Sequence, residues 1–167
     1  MKIEKLDKEF TIIGENLHTT RIVLKRGKHF ATSPGGEEAV RFVALSGEER
    51  FMIVPESVKK SQDYEEGRVK HMSVAVKAAM HGEGEAQEIG ASYLRLQIAR
   101  QEDGGADYLD VNVDEISIKP QEQKDAMKWL VEFMLDATQL PISVDSSNPD
   151  TIRIGVEACA GSGGRAM

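Results

Sequence analysis

Three polar residues stand where two strands would present them to one cavity. In Leu109-Asp110-Val111-Asn112-Val113-Asp114, apolar residues alternate with Asp110, Asn112 and Asp114, the two-residue period of a strand. Ile142-Ser143-Val144-Asp145 repeats the alternation, with Ser143 and Asp145 at the polar positions. If the apolar set faces a helix layer, Asp110, Asn112 and Asp145 converge on the other face. In a closed parallel barrel that places them at the C-terminal ends of neighbouring strands, where such barrels carry their sites. Glu15 and Asn16, just after the apolar run Phe10-Thr11-Ile12-Ile13, fall at the same end. Carboxylates accept paired hydrogen bonds from amidine-like edges, so this group suits a ligand rich in N–H donors and ring nitrogens. The competing reading is structural. An acid at a strand end also serves as turn former or helix cap, Asp114-Glu115 as a solvated loop, and Ser146-Ser147 as a turn before the next helix.

The remaining reactive residues form no second pattern. His18, His29, His71 and His81 show no metal-ligand spacing, and no metal site is expected. The glycines around His81 follow no strand and lack the dinucleotide fingerprint. Cys159 stands alone, which excludes an intrachain disulfide and a cysteine-based zinc site. With 21 Lys and Arg against 28 Asp and Glu, the net charge is -7, the wrong sign for a nucleic-acid binder that must replace phosphate counterions. No apolar run reaches the roughly 18 residues of a membrane span, and the charged start MKIEKLDKEF is not a signal peptide. A cytoplasmic protein is the expectation.

The elements that must position the polar residues follow from periodicity. Residues 10–13 read as a short buried strand. Residues 21–54 read as a β-rich insertion with two hairpins, one turning at Arg26-Gly27 and one at Ser46-Gly47-Glu48-Glu49. Residues 56–81 form a helical segment, in which Val69, Met72, Val76 and Ala79 share a face. A second helix follows Gly84, with Ala86, Ile89, Tyr93 and Leu96 on one stripe. Ala126, Trp129, Leu130, Phe133, Met134 and Ala137 mark a third, whose Trp129, Phe133 and Met134 are expected in the core. Asn148-Pro149-Asp150 signals a helix start by cap, proline and first-turn acid, and Ile152, Val156 and Cys159 form that helix's apolar face. From residue 85 onward the order is helix, strand, helix, strand, helix, which implies a parallel sheet in an α/β fold.

The motifs Gly104-Gly105-Ala106-Asp107-Tyr108-Leu109-Asp110-Val111-Asn112-Val113-Asp114-Glu115 and Pro141-Ile142-Ser143-Val144-Asp145-Ser146-Ser147 resemble the pterin-binding barrels. Within them they look closest to methyltetrahydrofolate:corrinoid methyltransferases and the folate domain of cobalamin-dependent methionine synthase. Ile12-Ile13-Gly14-Glu15-Asn16 is similar to that family's first strand, with Asn16 where Arg is usual. The resemblance covers residues 10–16 and 85–167. It implies a (β/α)8 barrel with the pterin at its C-terminal mouth, held by Asp145, Asn112, Asp110, Glu15, Asn16 and Ser147. It also implies methyl transfer from N5 of methyltetrahydrofolate to a corrinoid on a partner protein, with a homodimer possible at full length. No catalytic residue is assigned. The family's later strands supply further contacts, and a barrel needs about 250 residues. The chain is therefore expected to be the N-terminal part of a longer enzyme, inactive alone, with three strands and the start of a fourth at Arg165-Ala166-Met167. Two alternatives stand beside this one. A dihydropteroate synthase-like enzyme is disfavoured by Glu15-Asn16-Leu17-His18-Thr19-Thr20 in the first-strand loop. The other is a non-catalytic pterin-binding or assembly module covering residues 1–167.

Overall fold

A computed structural model describes residues 2–3 and 6–161, with side chains from residue 10 onward. In chain order the strands and helices are β1 (Lys2–Ile3), β2 (Leu6–Glu9), β3 (Ile13–His18), β4 (Val23–Leu24), β5 (Phe30–Thr32), β6 (Glu38–Val43), β7 (Glu49–Ile53), α1 (Glu56–Lys59), α2 (Gln62–Glu65), β8 (Arg68–Val69), α3 (His71–His81), α4 (Glu85–Asp103), β9 (Tyr108–Asn112), α5 (Pro120–Ala137), β10 (Ile142–Asp145) and α6 (Pro149–Gly161). Two compact units divide the chain. Met1–His18 joins Gln97–Met167 in one, and Thr19–Leu96 forms the other.

The first unit carries a parallel sheet in the order β10-β9-β3. Strand β10 pairs with β9 in continuous register, Ile142 beside Leu109 through Asp145 beside Asn112. Leu109, Val111, Ile142 and Val144 are buried, so the apolar alternation packs as the sequence implies. Helix α5 links the two strands as one β-α-β unit, and α6 follows. Pro149 opens α6 and Asn148 Oδ1 accepts from the Asp150 N–H at 2.9 Å, relieving one of the unpaired first-turn donors. Gly155 on α6 lets the helix approach closely. A Cβ there would stand 2.6 Å from Val144 Cγ1 and 3.1 Å from Met127 Cγ. Among the described residues the sheet does not close into a barrel. The expected fourth strand at Arg165-Ala166-Met167 lies outside them.

The second unit holds an antiparallel sheet β5-β6-β7 and the two-stranded pair β4-β8. Val40, Phe42, Met52, Val54, Met72 and Val76 are buried there, and the Phe42 and Tyr93 rings meet edge to face at 4.9 Å. The turn at residues 44–48 joins β6 and β7 as expected.

Five expectations change. Within residues 56–81, Val69 is not on a helix face but in β8, paired with β4, and α3 begins only at His71. The first sheet strand is not residues 10–13 but Ile13–His18, and Phe10 and Ile13 are exposed. Pairing with β9 extends the backbone of a polar segment that local propensity does not favour. The hairpin at Arg26-Gly27 does not form: β4 pairs with β8 and β5 with β6, so the hairpin turn lies at residues 33–37 instead. Trp129 and Phe133 are half-buried and stack on each other at 5.3 Å. The buried face of α5 is Ala126, Met127, Leu130, Val131 and Met134. On α6 the buried residues are Thr151, Gly155 and Cys159, with Val156 exposed. None of the helices is long and apolar enough to cross a membrane, among the described residues.

Candidate functional site at the carboxyl ends of the parallel strands

The polar positions of the sheet converge on one face. Ser143 lies beside Asp110, and Asp145 beside Asn112. Asp110 and Asn112 are 7% and 9% exposed. Burial at that level costs free energy unless each polar atom finds a partner, and the partners are present. Ser143 Oγ donates to Asp110 Oδ1. Asn112 Nδ2 donates to Asp145 Oδ2 at 2.8 Å. Asn112 Oδ1 in turn accepts the Asp114 N–H at 2.9 Å.

Asp114 ties the mouth together. Its Oδ1 accepts from Ser146 Oγ at 2.5 Å and its Oδ2 from the Ser147 N–H at 2.7 Å. The loop after β9 is thereby bound to the loop after β10. Burial raises the Asp114 carboxyl, but the hydrogen bonds from Ser146, Ser147 and Asn112 outweigh it and hold the group below the usual carboxylate range. Asp114 is thus a half-buried anchor, not a solvated loop residue. Gln123 on α5 donates to the Asp114 and Ser117 carbonyls at 3.0 and 2.8 Å, fixing the same loop from behind.

His18 is the residue that sequence reading missed. It ends β3, opposite Asn112, and its Nε2 pairs with Asp110 Oδ2. The register explains how it arrives there. Gly14 sits beside Leu109 and Leu17 beside Val111, so three residue steps on β3 match two on β9. Such a bulge inserts one residue and re-aims those that follow. Without it, Leu17 would stand opposite Asn112. With it, Leu17 is fully buried on the helix side and His18 turns to the carboxylates. Gln101 on α4 holds the bulge, its Oε1 accepting the Asn16 N–H at 2.8 Å. Gly14 leaves room for that amide, since a Cβ would collide with it. A lone histidine in a polar run gives no signal of a bulge in the sequence.

The other expected residues fall differently. Glu15 and Asn16 lie within the bulge itself, with exposed side chains. Ser147 is exposed and meets the site through its backbone N–H. Asp145 is exposed at the strand end. His18, Asp110 and Asp145 each offer one donor atom, mutually within 4.8 Å. Three protein ligands with a fourth position open is the count of a catalytic metal site; here both Asp110 oxygens are already bonded to His18 and Ser143.

Residues 91–164 match the family model described as pterin binding enzyme. The matched span contains β9, α5, β10 and α6, and with them Asp110, Asn112, Asp114, Ser143 and Asp145. No solved structure matches the chain.

Proposed function

We propose that this chain is part of a (β/α)8 barrel enzyme that binds methyltetrahydrofolate and transfers its N5 methyl group to a corrinoid carried by another protein. The observation that carries the reading is the Asn112–Asp145 pair. It stands in register beside Asp110 at the ends of two parallel strands, inside the segment that matches the pterin-binding family. A pterin presents a flat edge of ring nitrogens and an amino group. Asp145 Oδ2 accepts from Asn112, which leaves Oδ1 as the oxygen to accept from that edge. Asp145 anchors the ring; it attacks nothing. The barrel's contribution is to hold N5 in place and to supply polar groups where charge develops. The corrinoid supplies the nucleophile that takes the methyl group.

Titration of the full-length protein with methyltetrahydrofolate tests the reading. Asp145→Ala is expected to weaken binding by about 1–3 kcal/mol, the cost of lost hydrogen bonds to a charged group. Equal affinity in the variant and the parent refutes the role of Asp145, and no binding by the parent refutes the function.

A further inference from the structure

We propose that His18 is the proton donor of this site, delivering a proton through Nδ1 to the basic nitrogen of the bound pterin. The inference rests on the methyl-transfer reading and supplies what that reading lacks. A tertiary amine is a poor leaving group unless it is protonated as its bond to carbon breaks. Asp110 and Asp145 are expected as acceptors, and a carboxylate that accepts has no proton to give.

The structure gives His18 the features of a proton carrier. Its Nε2 is taken by Asp110, whose other oxygen is taken by Ser143. A carboxylate fixed on both sides sets the tautomer and orientation of the imidazole, as it does for catalytic histidines generally. Among the described residues Nδ1 has no hydrogen-bond partner, so it is the atom a ligand meets. The ring stands at the end of β3, level with Asn112 and therefore with Asp145. Anchor and donor thus share one register level of the sheet. The bulge strengthens the case, because a regular strand would put Leu17 at this place. Two further residues, Gly14 and Gln101, are committed to holding it. Among the described residues, Asp110 on β9 and Asp145 on β10 are the acidic groups gathered with His18; α4 meets β3 through Gln101, which is uncharged.

In the transfer step the proton on Nδ1 passes to the N5 lone pair, leaving a neutral imidazole. The N5–CH3 bond breaks with its electron pair remaining on N5, which becomes an N–H amine. The methyl carbon accepts a new pair from the reduced corrinoid of the partner protein, whose metal is oxidised by two electrons.

The test separates this role from the function beneath it. Full-length parent, His18→Gln and His18→Ala proteins are compared for methyltetrahydrofolate affinity by calorimetry and for transfer rate to a reduced corrinoid across pH 5.5–8.5. In His18→Gln the transfer rate is expected to fall by about 100-fold, while affinity changes by less than about fivefold. A pH dependence of the parent rate should vanish in His18→Gln. Added imidazole should restore transfer in His18→Ala in proportion to its protonated fraction. Parent-like transfer with a parent-like pH profile in His18→Gln overturns the proposal. So does failure of imidazole to rescue a His18→Ala protein that still binds the pterin. A parent that binds no pterin overturns the function itself, before the role of His18 is reached.

Discussion

Replacing Gly14 with alanine should unseat His18 without touching it. The new Cβ would lie 2.9 Å from Gln101 Cδ and 3.2 Å from its Cβ, and closer still to Oε1. Gln101 must then swing aside, losing the 2.8 Å bond from the Asn16 N–H and the 3.2 Å bond to the Gln97 carbonyl. Gln101 is only 7% exposed, so water does not replace those partners, and a buried polar group left unmet costs about 1–3 kcal/mol. Alanine returns roughly 0.5–1 kcal/mol by restricting the unfolded chain. The net loss should be about 1–2 kcal/mol. Gln101→Ala alone should cost a similar amount, since it abandons the bulge. In the double variant the alanine methyl occupies space that the glutamine vacated, so the Gly14 change should add no further loss. Urea denaturation of the four proteins gives the coupling energy of this cycle, expected at about 1–2 kcal/mol. The His18 ring resonances should shift alike in both single variants. Additive losses, or a His18 spectrum unmoved by Gly14→Ala, would refute the link between glycine, glutamine and bulge.

Two more consequences are measurable. Gly155→Val places branched carbon against Val144 and Met127, both buried, and should destabilise the protein by about 2–3 kcal/mol; a parent-like urea midpoint would contradict the close approach of α6. His71 is buried against the Tyr93 hydroxyl, whose oxygen lies 2.9 Å from Nδ1, and burial, with smaller effects from His29 and Arg21, pushes it down to about 4. The unfolded chain takes up this proton near pH 6.5 and the folded chain does not, so stability is full above pH 6.5 and is lost as pH falls toward 4, by about 3 kcal/mol in all. His71→Gln should flatten that window relative to the parent in urea titrations from pH 7 to 4, and an unchanged slope would count against a neutral buried His71.

Much of the sheet is legible in the sequence because β9 and β10 obey a two-residue period while α5 obeys a 3.6-residue one. Leu109, Val111, Ile142 and Val144 can pack only on the helix side, and the pleat then gathers Asp110, Asn112 and Asp145 on the opposite face. Long-range decisions are not legible. Val23–Leu24 pairs with Arg68–Val69 across more than forty residues, and nothing local to either segment marks the other. The buried stripe of α5 centres on Met127, Leu130, Val131 and Met134, because Gly155 admits Met127 to the helix interface; periodicity finds a stripe but not its centre. Glu15-Asn16-Leu17-His18 looks like a loop because a bulge inside a strand breaks the alternation that identifies strands.

That break separates a structural reading of the polar cluster from a functional one. A sheet selected for stability alone gains by burying apolar residues at Asp110 and Asn112, since a bonded polar group contributes little net and an unmet one costs several times more. Here the sheet buries both, and ties them to Ser143, Asp145 and Asp114. It then distorts its neighbouring strand so that a histidine, and not a leucine, joins them. The bonds account for the Asp110 oxygens, for Asn112 and for one Asp145 oxygen. Two atoms of the cluster, Asp145 Oδ1 and His18 Nδ1, have no partner among the described residues. Together they offer a carboxylate oxygen beside an imidazole nitrogen. On the proposed function, a reduced pterin meets the first with an N–H edge and the second with a basic nitrogen on the same rigid frame.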